Sequence, residues 1–331
     1  MQPPKKILVR APNWIGDHVM ALPFYWDLKK TYPDAELTLL SLENVRGLGF
    51  EQVFDEHWLI PRSERHGLVS NLRWSRKIAA GDFDLAISLP ASVSSALLFA
   101  LAGVPHRVGF SDGHSDLLYT ASLKWQGREG KKHKSELYRE LIPFLVAHET
   151  SSEPIFEVGE PTGERTNLIV IAPGASIGLR EWPYFKELLT KLRKAYWAFR
   201  IVVVGTEGES KWHGFLKQMN DPRIEDWVGK TNLPQLIEVC RKARLVVAND
   251  SGVAHLAATV AKAPTVVIFG PGDPSYIQPK GPAVKVVQSE GLPCNPCESA
   301  ECDRDYGYQQ CLRTIGPEQV MGEVETLLPL N

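Results

Sequence analysis

The residues able to do chemistry fall into a few short segments of the 331-residue chain. The first, Ala11-Pro-Asn-Trp-Ile-Gly16-Asp17, sets a carboxylate beside a glycine just downstream of an apolar run. Open α/β sheets bind ligands at the carboxyl ends of their strands, so Asp17 stands where reactions take place. It could take the proton of an attacking hydroxyl, and Gly16 lets the backbone approach a ligand closely. Capping of the following helix accounts for an aspartate here equally well. A second segment, Asn249-Asp250-Ser251-Gly252-Val-Ala-His255, runs from an apolar strand into a helix. The free N–H groups and dipole of such a helix start suit a phosphate. Asp250 and Ser251 add partners for sugar hydroxyls, and His255 lies one turn in, toward the same ligand. Capping, and a satisfied core histidine, are the plainer accounts of these three.

In a third segment, Ala172-Pro-Gly174-Ala-Ser176-Ile-Gly-Leu-Arg180, Arg180 could neutralise a diphosphate through forked hydrogen bonds; the alternative is a solvated arginine. In Gly205-Thr-Glu-Gly-Glu209, Glu207 or Glu209 could take a pair of ribose hydroxyls or simply face a helix start. Two stretches of the first half are basic. One holds Arg62, Arg65, Arg73, Arg76 and Lys77, the other Lys124, Arg128, Lys131, Lys132, Lys134 and Arg139. Charge runs are commonly solvated faces; the sharper reading is a docking surface for a phosphorylated acceptor or an anionic membrane. Of five cysteines, Cys294, Cys297, Cys302 and Cys311 crowd together. Four thiols suffice for a structural tetrahedral metal site, though the spacing is not that of paired Cys-x2-Cys knuckles, and free thiols or a disulfide are the alternatives.

These segments need a scaffold, and the composition supplies one. With 44% hydrophobic and 23% charged residues and a net charge of −2, the chain reads as a soluble globular protein. The length suits two domains that need no disulfide support. Balanced charge argues against a dedicated nucleic-acid binder. We expect no secretory signal, and no apolar stretch reaches the roughly 20 residues of a membrane span. Lys6–Arg10, Ala35–Leu40 and Phe83–Leu89 read as strands and His18–Tyr32 as a helix. Their unbroken apolar character is that of a doubly wound parallel sheet. Residues 111–136 read as a long mobile loop, Ser135–Val146 as a helix, and Glu149–Thr166 as an interdomain linker. The second half starts again with strands at Asn167–Ala172, Phe199–Val204, Leu245–Ala248 and Pro264–Phe269 and a helix over Trp182–Ala195. The expectation is two such domains facing each other across a cleft. No G-x-G-x-x-G follows the first strand of either half, which disfavours a dinucleotide oxidoreductase.

Taken in order, ILVRAPNWIGDHVMALP (7–23), AGVPHRVGF (102–110), APGASIGLREWP (172–183), NDSGVAHLAA (249–258) and FGPGDP (269–274) resemble the ADP-heptose:lipopolysaccharide heptosyltransferases of glycosyltransferase family nine. The resemblance implies an α/β GT-B fold, two Rossmann-like doubly wound domains around a central cleft, with residues 1–160 receiving the acceptor and 161–331 the nucleotide sugar. It implies inverting, metal-independent transfer of heptose from ADP-heptose to a hydroxyl of the lipopolysaccharide inner core, with no cofactor required. Carried over by position, Asp17 is the catalytic base. Ser176, Arg180, Glu209, Asp250, Ser251, Gly252 and His255 bind the donor, Arg180 standing where the family often has a lysine. Arg62, Arg65, Arg73, Arg76 and Lys77 lie where the family binds its phosphorylated acceptor, the lipid A-Kdo core. The implied setting is the cytoplasmic face of the inner membrane, in peripheral contact with its anionic surface. Another nucleotide sugar on the same fold, or a nucleotide-binding scaffold without transfer, are the competing readings.

Overall fold

Strands that read as unbroken apolar runs belong in parallel sheets covered on both faces. The structure, a computed structural model, describes residues 3–65, 67–146, 153–156, 163–297, 299–302 and 307–330. The chain divides into two units, Met1–Gly159 and Glu160–Asn331, and each holds one six-stranded sheet. Of the expected linker, residues 149–152 and 157–162 lie outside the described residues, and Thr166 already opens a strand.

In the first unit β1 (Lys6–Arg10), β2 (Glu36–Leu42), β3 (Glu56–Ile60), β4 (Leu85–Ser88), β5 (His106–Ser111) and β6 (Ala121–Lys124) lie in the order β3-β2-β1-β4-β5-β6. All pairings are parallel, with Val9 opposite Leu39 on one side and Ile87 on the other. Ile7, Leu8 and Val9 are fully buried, each stabilising the fold by roughly 1.5–3 kcal/mol. The chain leaves β1 toward β2 and leaves β4 toward β5, so the loops after these two strands flank the topological switch point, where open sheets bind ligands.

The helix expected over His18–Tyr32 is two helices, α1 (Ile15–Met20) and α2 (Leu22–Thr31). Pro23 has no N–H to return to α1, and the chain breaks at Ala21. After α3 (Leu68–Ala80) and α4 (Val93–Leu101), the helix expected over Ser135–Val146 is likewise split, by Pro143, into α5 (Lys134–Arg139) and α6 (Leu141–Val146). The mobile loop expected over 111–136 is a correction. It contains β6, paired to β5 with Ala121 opposite Val108. The Trp125 ring packs on Phe110 and Tyr138 at 4.8 and 5.6 Å, and Arg139 of α5 bonds Asp27 of α2 at 2.6 Å. Ala-Ser-Leu-Lys is too short and too polar to announce a strand by its pattern.

In the second unit β7 (Thr166–Ala172), β8 (Arg200–Gly205), β9 (Ile224–Val228), β10 (Ala243–Asn249), β11 (Thr265–Phe269) and β12 (Val284–Gln288) lie in the order β12-β11-β10-β7-β8-β9, again all parallel. The helices are α7 (Phe185–Ala195), α8 (Lys211–Met219), α9 (Leu233–Lys242), α10 (Gly252–His255), α11 (Pro274–Ile277), α12 (Gln310–Arg313) and α13 (Pro317–Leu327). Phe185, Leu188, Leu189 and Leu192 of α7 repeat with helical period and fill the core beside Val320 and Val324 of α13. Among the described residues, no helix is long and apolar enough to cross a membrane.

Candidate functional site

Three loops of the second unit converge at the carboxyl ends of β7, β8 and β10. Asn249, the last residue of β10, is fully buried. Its Oδ1 accepts from the Trp182 N–H at 3.0 Å and its Nδ2 donates to the Pro173 carbonyl at 2.8 Å, which pins the 173–182 loop to the strand. The loop closes with a 3₁₀ turn, Gly178–Arg180. There Arg180 Nη1 donates to Asp250 Oδ2 at 2.7 Å. The Asp250 side chain is 3% exposed and that of Arg180 20%, so the charges need each other: removing one partner of a buried pair typically costs about 3–5 kcal/mol. Arg180 Nε is enclosed without a hydrogen-bond partner. Behind the loop, the buried Gln309 donates from Nε2 to the carbonyls of Leu179 and Glu181 at 3.0 and 2.9 Å.

Ser251 occupies the N-cap of α10 but makes no side-chain cap bond, and its hydroxyl is enclosed and unpartnered. Capping therefore explains neither Ser251 nor the ion-paired Asp250. A Cβ at Gly272 would meet the Asp250 carboxylate, so that glycine makes room for it. Buried His255 ends α10, and the helix continues as a π turn over Leu256–Val260, a distortion frequent at functional sites. Ser176 is exposed on the pinned loop. For Glu209 the capping account does hold: Oε2 accepts from both the N–H and the hydroxyl of Thr206 at 2.5 Å. The same carboxylate lies over Gly174, where a Cβ would strike it.

In the first unit, Asp17 is not a cap. Trp14 holds the N-cap of α1, and Asp17 Oδ1 instead accepts from Lys134 Nζ of α5 at 2.8 Å, with both side chains 18% exposed. Next to it His18 is fully buried and stacked on Phe50. Burial above all, and then the charges of Arg10 and His57, push the His18 imidazole down to about 3 against a weak pull from the Pro12 carbonyl. Neither ring nitrogen makes a hydrogen bond, and the ring is neutral at physiological pH.

The basic residues separate. Arg62 and Arg76 are exposed. Arg73 pairs with Glu64 at 2.5 Å. Lys77 lies over the Trp58 and Trp74 rings at 4.3 and 4.9 Å. Arg65 lines a small cavity with Arg10. In the second stretch Lys132, Lys134 and Arg139 are committed to Glu140, Asp17 and Asp27, so at least these three cations are engaged within the fold. Cys294, Cys297, Cys302 and Cys311 gather round a cavity of about 20 Å³ that also touches Leu179 of the Arg180 loop. All are free thiols. Burial, and then the three neighbouring thiols, push Cys311 up to about 11. Among the described residues no group of His, Cys, Asp and Glu side chains is arranged to hold a metal ion.

The sequence pattern of glycosyltransferase family 9 (heptosyltransferase) matches residues 71–306, well over half of the chain. The chain belongs to glycosyltransferase family 9. Among its relatives is lipopolysaccharide heptosyltransferase 2 of Salmonella typhimurium LT2, 26% identical over 350 residues and covering 98% of each chain. Among solved structures it is similar to Escherichia coli ADP-heptose lps heptosyltransferase II, with a TM-score of 0.77, 24% identity and 98% of both chains covered. Another is an E. coli heptosyltransferase, WaaC, solved with ADP, with a TM-score of 0.74, 18% identity, and 97% of this chain and 99% of that one covered. The two sheets are thus the two Rossmann-like halves of the GT-B fold, and this family 9 member is a glycosyltransferase.

No local pattern assigns a role to Asn249, Gln309 or Gly272, and Lys134 reads only as one of a basic run and not as the partner of Asp17. Asn249 was visible as the polar end of an apolar strand. Lys134 lies 117 residues from its partner, and no local pattern announces such a contact.

Proposed function

We propose that this family 9 enzyme transfers heptose from ADP-heptose to a Kdo or heptose hydroxyl of the lipopolysaccharide inner core, inverting the anomeric carbon. The second unit takes the donor and the first the acceptor. Asp17, oriented by Lys134, removes the acceptor hydroxyl's proton as the new C–O bond forms and the bond to ADP breaks. Arg180 and the N–H groups opening at Ser251-Gly252 offset the charge that builds on the leaving diphosphate, the task a metal performs in other transferases. Asp250, His255 and Ser176 contact the donor's hydroxyls and phosphates, and Glu209 the ribose through the oxygen facing Gly174. The acceptor is a phosphorylated glycolipid, so the enzyme works at the cytoplasmic face of the inner membrane, in peripheral contact with its anionic surface. Nucleic acid is not a partner.

The observation that carries this reading is the Arg180 guanidinium, held at the ends of β7 and β10 by Asp250 with a donor to spare, beside the unpartnered hydroxyl of Ser251. Thermal stabilisation by ADP, UDP and GDP tests it. ADP should stabilise the wild type most, and Arg180→Lys, which retains charge but not the fork, should weaken that effect by about tenfold or more in ADP concentration. Preferential stabilisation by UDP or GDP would assign another donor to the same fold.

A further inference from the structure

The clustered cysteines of the second unit take no part in the transfer chemistry above. Cys294, Cys297, Cys302 and Cys311 are free, and they wall one cavity of about 20 Å³ together with Leu179 and Pro271. Four thiols round a space that small suit a tetrahedral metal, yet among the described residues no such ligand arrangement is present. The void has another consequence: it leaves the sulfurs room to approach one another, where a close-packed core would hold them apart.

The four thiols are not equivalent. Cys311 opens out of α12 and is buried, and burial pushes its thiol up to about 11, which leaves little thiolate to react. Cys302 Sγ accepts the Gln309 N–H at 3.4 Å, so that sulfur is engaged by Gln309. Cys294 and Cys297 are half-buried and lie in the irregular segment after β12. Their Cys-x-x-Cys spacing is that of thiol pairs that close reversibly into disulfides.

The cavity walls lead to the loops that hold Arg180. The Cys297 N–H donates to the Pro271 carbonyl at 3.1 Å. Pro271 precedes Gly272, which makes room for the Asp250 carboxylate, and Asp250 accepts from Arg180. On another wall Leu179 directly precedes Arg180. Gln309, bonded to Cys302, donates to the Leu179 and Glu181 carbonyls. A displacement of Cys297 therefore reaches the arginine from two sides.

We infer that Cys294 and Cys297 are a redox switch of the donor site, a thiol pair that closes into a disulfide and loosens the Arg180 loop. The inference rests on the second unit binding ADP through Arg180. The oxidant is a low-molecular-weight disulfide. One thiolate of the pair attacks it, forming a mixed disulfide and expelling one small thiol; the other then attacks the protein sulfur of that mixed disulfide and expels the second small thiol. The two electrons and two thiol protons leave with the small thiols, and one S–S bond forms in the protein for the one broken in the oxidant. Closure draws the two sulfurs from contact to about 2.05 Å, which pulls Cys297 against its bond to Pro271.

The test oxidises the full-length protein with glutathione disulfide and maps its thiols by peptide mass spectrometry without reductant. The peptide holding Cys294 and Cys297 should become lighter by two hydrogens, with Cys302 and Cys311 still open to alkylation after denaturation. By calorimetry the Kd for ADP should rise about fivefold or more, the lower end of ordinary coupling between two sites, and dithiothreitol should restore it. Cys294→Ser and Cys297→Ser should keep the reduced affinity in the same oxidant, and either variant carries the test if the other does not fold. A disulfide through Cys302 or Cys311, mixed adducts alone, an unchanged Kd in the oxidised protein, or about one zinc or iron ion per chain that alkylation of the thiols releases would each overturn the switch. A reduced protein that does not bind ADP defeats the donor reading instead. Hydrogen exchange of peptides covering residues 173–182 then decides the switch: it should quicken on oxidation and return on reduction, and equal rates in both states would refute the coupling.

Discussion

Acidification should destabilise the first unit through His18. Its imidazole is fully enclosed, makes no hydrogen bond, and is held at about 3 by burial and by the charges of Arg10 and His57. In the unfolded chain it titrates near 6.5. A group whose pKa is depressed by folding contributes stability that is present above the unfolded value and lost as pH falls toward the folded one. The loss begins near pH 6.5 and proceeds at about 1.4 kcal/mol per pH unit, giving roughly 2 kcal/mol by pH 5. Because the chain has two units, the readout must belong to the first. Pulse-labelling hydrogen exchange across a urea series, followed on peptides covering β1 and β2, provides it. His18→Met fills the site with an adaptable apolar chain and removes the titration. Between pH 7 and pH 5 the wild type should lose about 2 kcal/mol more than the variant, other groups cancelling in the difference. Equal losses would refute a buried, neutral His18.

Three further outcomes follow from the second unit. Asn249→Ala strands the Trp182 N–H and the Pro173 carbonyl, at about 1–3 kcal/mol each, so urea unfolding should show at least about 2 kcal/mol of destabilisation with weaker ADP binding by calorimetry; unchanged ADP affinity would mean the loop is not pinned from β10. Gly174→Ala must push Glu209 off Thr206, and we expect about 1 kcal/mol of lost capping and reduced ADP affinity, against no change if the close approach is unimportant. Iodoacetamide at pH 8 should label Cys294, Cys297 and Cys302 well before the buried Cys240 and Cys311, whose thiols are pushed up to about 12 and 11, leaving about a thousandth or less of either as thiolate; peptide mass spectrometry finding Cys311 labelled as fast as Cys302 would contradict the burial described.

Much of this architecture was legible in the sequence because buried parallel strands carry a strong local signature. β1, β2, β4, β7, β8, β10 and β11 stood out as apolar runs. The strands that went unread are mainly at or near sheet edges, such as Glu56-His-Trp-Leu-Ile in β3 and Ile224-Glu-Asp-Trp-Val in β9, where one side faces solvent and polar residues interrupt the pattern. Helix boundaries slipped where Pro23 and Pro143 divided what period alone would join. For the candidate site, the loops were readable but their pairings were not. Asp17 and Ser251 looked like caps from local preference, yet an ion pair takes the first and nothing takes the second. Glu209 read equally as a ribose ligand or a cap, and one of its two carboxylate oxygens is engaged by Thr206. Each outcome depends on a partner that only the folded chain brings near.

The most direct test of the transfer mechanism is a time course of NMR spectra, which read both the added heptose and its anomeric configuration, on a Kdo- or heptose-terminated lipid A core incubated with ADP-heptose and either wild-type enzyme or Asp17→Asn. The wild type should add a heptosyl unit of inverted anomeric configuration and release ADP, and the variant should be slower by about 10²-fold or more while ADP still stabilises it. Retained configuration, or equal rates from the two proteins, would contradict a single displacement driven by Asp17.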